Sequence, residues 1–118
     1  MRAVRCLLAL LALTGVAAFG GAEKQEVTQE VKAVVEKVRD AFDEAANAQG
    51  MNRMKGASRF EPVDVMTQVV AGVNYFVKVK VGEGDEYAFL RIYDRFGDVQ
   101  LTSFQLGKTA SDPIAYFE

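Results

Sequence analysis

Across residues 23–49 the apolar side chains Val27, Val31, Val34, Val35, Val38, Phe42, Ala45 and Ala46 recur every three or four positions, and neither Pro nor Gly interrupts them. This spacing gathers them on one stripe of a long amphipathic helix. Lys24, Glu30, Lys37, Asp40 and Asp43 fall mostly on the other side, and Gly50 is the stop signal. Valine has modest helix propensity, so the helix depends on packing its stripe against another element. After a linker over residues 51–58 the period changes to two. Residues 60–70 read as extended. Residues 74–81 alternate, with Tyr75, Val77, Val79 and Val81 on one face and Lys78 and Lys80 on the other. Residues 82–85 form a turn, and residues 87–93 the next strand, with Ala88, Leu90 and Ile92 toward the core. Residues 96–98 form a second turn, and residues 99–106 the last strand. One helix followed by about four strands on short turns predicts an α+β fold, an antiparallel meander wrapped on a helix.

The N-terminus follows a different pattern. Arg2 and Arg5 precede an apolar run over residues 6–13, and small residues continue to Ala22. A basic start, a short apolar middle and a small-residue exit describe a secretory signal peptide, and the run is shorter than the roughly 20 residues of a membrane span. Val16 and Ala18 suit a signal peptidase, which divides the chain into a signal at 1–18 and a single domain at 19–118, with cleavage after Gly20 or Ala22 as the alternatives. The expectation is a secreted protein without a membrane anchor. A chain of 118 residues has room for one core.

Composition removes most enzyme chemistry. There is no His, and Cys6 is the sole cysteine. Ser–His and Cys–His nucleophile pairs, imidazole or thiolate metal sites and an intradomain disulfide are therefore excluded. The formal net charge is −2 without a basic stripe, which argues against a nucleic-acid partner. Glu83, Asp85 and Glu86 lack the ligand spacing of a calcium loop and read as a solvated turn. No catalytic residue, cofactor or metal is expected, and the chain is read as a non-enzyme.

The unusual segment is Gln68-Val69-Val70-Ala71-Gly72, at the junction of two predicted strands. Three apolar side chains occupy a hairpin tip, where polar turn residues are the rule. This segment resembles the QxVxG hairpin of the cystatin superfamily, and residues 74–82 resemble the strand that follows it in stefins. The likeness extends to the glycine pair Gly20 and Gly21, the long helix, Leu90-Arg91-Ile92-Tyr93, Leu101-Thr102 and Tyr116-Phe117. It implies a cystatin fold, in which an antiparallel sheet of four to five strands wraps around one long α-helix. It also implies reversible, competitive inhibition of papain-like cysteine proteases of the cathepsin type, by a wedge that fills the active-site cleft. Carried over residue by residue, the protease-binding positions are Gly20 and Gly21 in an N-terminal trunk, Gln68, Val69, Val70, Ala71 and Gly72 in a first hairpin, and Phe96 and Gly97 in a second. A monomer is expected.

The chain departs from the stefin pattern in two ways: Phe96-Gly97 replaces the usual Leu-Pro on a shortened loop, and a signal-like segment precedes a cysteine-free domain. Phe96 packing back on its own sheet, the glycine pair serving only the signal exit, and a non-inhibitory binding module on the same scaffold are the alternative readings.

Overall fold

The computed structural model describes residues 21–50 and 59–118. In chain order the elements are β1 (Glu23–Gln25), α1 (Gln29–Lys37), α2 (Arg39–Ala48), β2 (Glu61–Val70), β3 (Gly72–Lys80), β4 (Tyr87–Arg95) and β5 (Asp98–Lys108). The strands form one antiparallel sheet in the order β1-β2-β3-β4-β5. The α+β class and the meander agree with the sequence pattern.

The single helix over residues 23–49 is corrected. Residues 23–25 are a strand, because nothing before Val27 continues the apolar stripe and their backbone instead pairs with Val65, Met66 and Thr67. The helix starts one turn later, where the Thr28 hydroxyl accepts a hydrogen bond from the Val31 amide at 3.3 Å, a standard N-cap. It is then divided at Val38, whose N–H bonds to the Val35 carbonyl three residues back at 3.1 Å. That tighter turn falls in a cluster of β-branched residues, whose stiff side chains crowd a regular helix. Among the described residues, no helix is long and apolar enough to cross a membrane.

Both helices press their stripe on one face of the sheet. Val31, Val34, Val35, Val38, Phe42 and Ala46 meet Val65, Tyr75, Val77, Val79, Ala88, Leu90 and Ile92, all buried. Phe42 anchors the layer, with its ring centroid 5.3 Å from Phe60 and 5.4 Å from Phe104. These residues are the ones that the alternation in β3 and β4 points inward.

The opposite face is not the solvated one the sequence suggests. Phe76 and Phe89 are buried there beneath Ile114 and Phe117 of the C-terminal segment, and Lys78, expected on a polar exterior, is 4% exposed. Its ammonium group donates to the carbonyls of Ala110 at 2.8 Å and Asp112 at 2.6 Å and lies 4.7 Å from the Tyr87 ring centre. Arg91 continues the line, donating to the Phe117 carbonyl at 2.9 Å. A buried cation persists only with such partners. Lys78→Met, which keeps the apolar stem and strands two carbonyls, is expected to lower the free energy of unfolding by about 2 kcal/mol. Urea unfolding measures this; an unchanged midpoint would show that Ile114 and Phe117 hold the segment by apolar contact alone.

Candidate functional site

Antiparallel pairing carries three separate stretches of chain to one end of the sheet. The β2–β3 turn closes over residues 70–72, with Val69 opposite Val73 and Val70 opposite Gly72. The β4–β5 turn closes over residues 95–98, with Arg95 opposite Asp98. Asp94, next to that second turn, lies opposite Val73, next to the first, so the two hairpins end side by side. Glu23 pairs with Thr67 in the antiparallel sense, which directs Ala22 and Gly21 toward the same end. The β3–β4 turn over residues 81–86 is at the far end.

The first hairpin tip is apolar and open to water: Val69 is 70% exposed and Val70 43%. Neither valine belongs to the core. Gln68 behaves differently from its neighbours. It is 7% exposed, and its side-chain oxygen accepts a hydrogen bond from the buried Asn74 amide at 2.9 Å. The motif glutamine thus ties the two strands together at the base of the tip. The matching role of Asn74 was not legible in the sequence, because an Asn at a strand start carries no sign of its cross-strand partner.

Gly72 is fixed by its surroundings. Its φ is +113°, in the region that L side chains rarely adopt. A Cβ there would lie 2.6 Å from the Asp94 carbonyl oxygen and 3.1 Å from the Arg95 Cα. The glycine therefore does more than turn the chain, since it lets the first hairpin lie directly against the second.

The second hairpin is a two-residue loop. Phe96 and Gly97 both have positive φ, +51° and +101°, as a type I′ turn requires, and the Asp94 carboxylate accepts the Gly97 N–H at 2.9 Å. Phe96 is 86% exposed. It does not pack on its own sheet, which removes that alternative. The Tyr75 ring lies in the helix-side core, whereas the Tyr87 ring lies under the Lys78 and Lys80 ammonium groups, 4.7 and 4.8 Å from its centre. Burial, with Glu30 and Asp94 nearby, pushes the Tyr75 hydroxyl above the ordinary tyrosine value.

Of the positions singled out in the sequence, Gly21, Gln68, Val69, Val70, Ala71, Gly72, Phe96 and Gly97 are thus gathered at one end. Gly20 and the signal-peptide boundary at 18/19 lie outside the described residues. Among the described residues, no group of three or more His, Cys, Asp or Glu is placed to hold a metal ion.

An apolar double hairpin beside the start of an edge strand, on a sheet that packs helices on one face, now meets its match in other proteins: the cystatin domain profile covers residues 20–109. The chain belongs to the cystatin family. Stefin-C of Bos taurus is 32% identical over 102 residues, spanning 83% of this chain and 93% of its own. Cystatin-A of Mus musculus is 34% identical over 101 residues, 83% and 96% of the two chains. Leukocyte cysteine proteinase inhibitor 1 of Sus scrofa is 31% identical over 104 residues, 85% and 93%. The family is one of cysteine protease inhibitors, not enzymes. The expectation of a secreted protein is corrected by the same matches, because they fall in the stefin branch, whose members are intracellular. That expectation rested on a composition pattern at residues 1–18, which the described part of the fold does not include.

Proposed function

We propose that this cystatin is a reversible, competitive inhibitor of papain-like cysteine proteases of the cathepsin type, and that it binds by inserting the end of the sheet that carries Val69, Val70 and Phe96. The supporting observation is the convergence of two exposed apolar tips and the start of β1 on one edge. In this reading Gly20 and Gly21 form the trunk, Val69 to Gly72 the first contact and Phe96 with Gly97 the second, while Gln68 supports the first contact from within.

The physical case has three parts. Exposed valine and phenylalanine gain about 25 cal/mol for each Å² of apolar surface removed from water. Hairpins tied by cross-strand pairing lose little conformational freedom on docking, which conserves affinity. Glycine backbone in the trunk allows close approach to a cleft wall. Such a wedge offers no peptide bond to the catalytic cysteine and so escapes cleavage. Titration of the purified protein against papain and one cathepsin tests the reading: competitive, dilution-reversible inhibition is expected, with serine and aspartic proteases unaffected. Absence of inhibition at micromolar protein would overturn it in favour of a non-inhibitory binding module on the same scaffold.

A further inference from the structure

We infer that Tyr93 is a positioning residue for the first hairpin, a strut from β4 that fixes the tip in its binding conformation before any protease arrives; this rests on the reading of that tip as the contact edge. Tyr93 is opposite Asn74, and Asn74 is opposite Gln68. Residues in register across neighbouring strands project to the same side of a sheet, so Gln68, Asn74 and Tyr93 form one transverse row immediately behind the tip. The first two are joined to each other at 2.9 Å. The Tyr93 hydroxyl reaches past them and donates to the carbonyl of Ala71, the residue at the apex of the turn.

Two further observations separate a strut from an incidental surface bond. A Cβ on Gly72 would lie 3.2 Å from the Tyr93 ring edge, so the ring occupies the space beside the turn that a side chain at position 72 would need. Beyond the close approach of Gly72 to the second hairpin, the apex buries no apolar side chain of its own. Val69, Val70 and Ala71 are exposed, and the β2–β3 ladder ends at the Val70–Gly72 pair. The Gln68–Asn74 pair secures the base of the hairpin and Tyr93 secures its apex. Their combined effect is to hold Val69 and Val70 in a single presentation.

A strut of this kind acts through the population of the binding-competent tip, so its removal reduces apparent affinity by the fraction lost. Tyr93→Phe keeps the ring and deletes the hydroxyl. One hydrogen bond corresponds to about a three- to tenfold change in an equilibrium constant, and the inhibition constant against papain is expected to rise by about that factor. The Ala71, Gly72 and Val73 amides should exchange with solvent faster by a similar factor, with exchange in α1 and mid-β3 unchanged. Tyr87→Phe, which removes a hydroxyl from the distant end of β4, should alter neither quantity. Unchanged tip exchange in Tyr93→Phe, or equal effects from Tyr87→Phe, would overturn the strut. If the unaltered protein fails to inhibit papain, the proposed function falls, while the exchange comparison still decides whether Tyr93 holds the tip.

Discussion

Gly72→Ala is expected to cost this cystatin about 3 kcal/mol or more of stability and to weaken inhibition with it. Two penalties combine. A φ of +113° is strained for any residue with a Cβ, a cost of about 1–3 kcal/mol. The new methyl would also lie 2.6 Å from the Asp94 carbonyl oxygen, and forced overpacking adds about another 1–3 kcal/mol. The backbone of β4 is poorly placed to yield, since it is paired along its length with β3 on one side and β5 on the other. For a domain of this size the melting temperature should fall by about 10 °C or more. Relaxation that does occur must push the hairpins apart, which misplaces Val69 and Val70 relative to Phe96. Gly97→Ala is the internal control. Gly97 also has positive φ, at +101°, yet a Cβ there meets nothing within 4 Å, so the backbone cost stands alone. Equal melting temperatures for the two variants would show that close contact between the hairpins is not what Gly72 provides.

That contrast also marks how far the chain could be read unaided. Period-two alternation in β3 and β4 announced Val77, Val79, Leu90 and Ile92 as core, and an apolar triplet at a turn announced the exposed tip, because both signals are local. The fate of Lys78 depends instead on residues 110–112, more than thirty positions away. Its alternation with Val77 and Val79 looked like a solvated face, and only the returning C-terminal segment makes that face a second core. Residues 23–25 misled for the same reason: a short polar stretch before a helix looks like its first turn until the edge of β2 is available to pair with it. Within the candidate site, the glycines and valines were legible from the motif. The division of labour was not. Gln68 ties the two strands of the first hairpin and Gly72 lets that hairpin lie against the second, while Val69 and Val70 face water, and nothing in a five-residue string distinguishes these roles.

Phe96→Asn is expected to make the protein more stable and a poorer inhibitor, by about 1 kcal/mol in the first respect and about thirtyfold or more in the second. The two-residue loop between β4 and β5 needs positive φ at both positions, and Asn-Gly is the sequence that satisfies this at least cost. A bulky aromatic residue held at φ +51° costs about 1–2 kcal/mol. The fold recovers little of this through packing, since Phe96 is 86% exposed. Strain retained without a packing return points to a use outside the fold, and an aromatic anchor on a protease contact is such a use. Loss of a buried aromatic hot spot typically costs about 2 kcal/mol or more, equivalent to about thirtyfold in affinity. Stability should move the other way, with the melting temperature rising by roughly 4–8 °C. The opposed signs make the test selective, since damage to the fold would lower both quantities together. A drop in melting temperature would mean that Phe96 packs on the protein itself. A stabilised variant that still inhibits papain at full strength would remove the second hairpin from the contact and leave the first, with the trunk, to carry the binding.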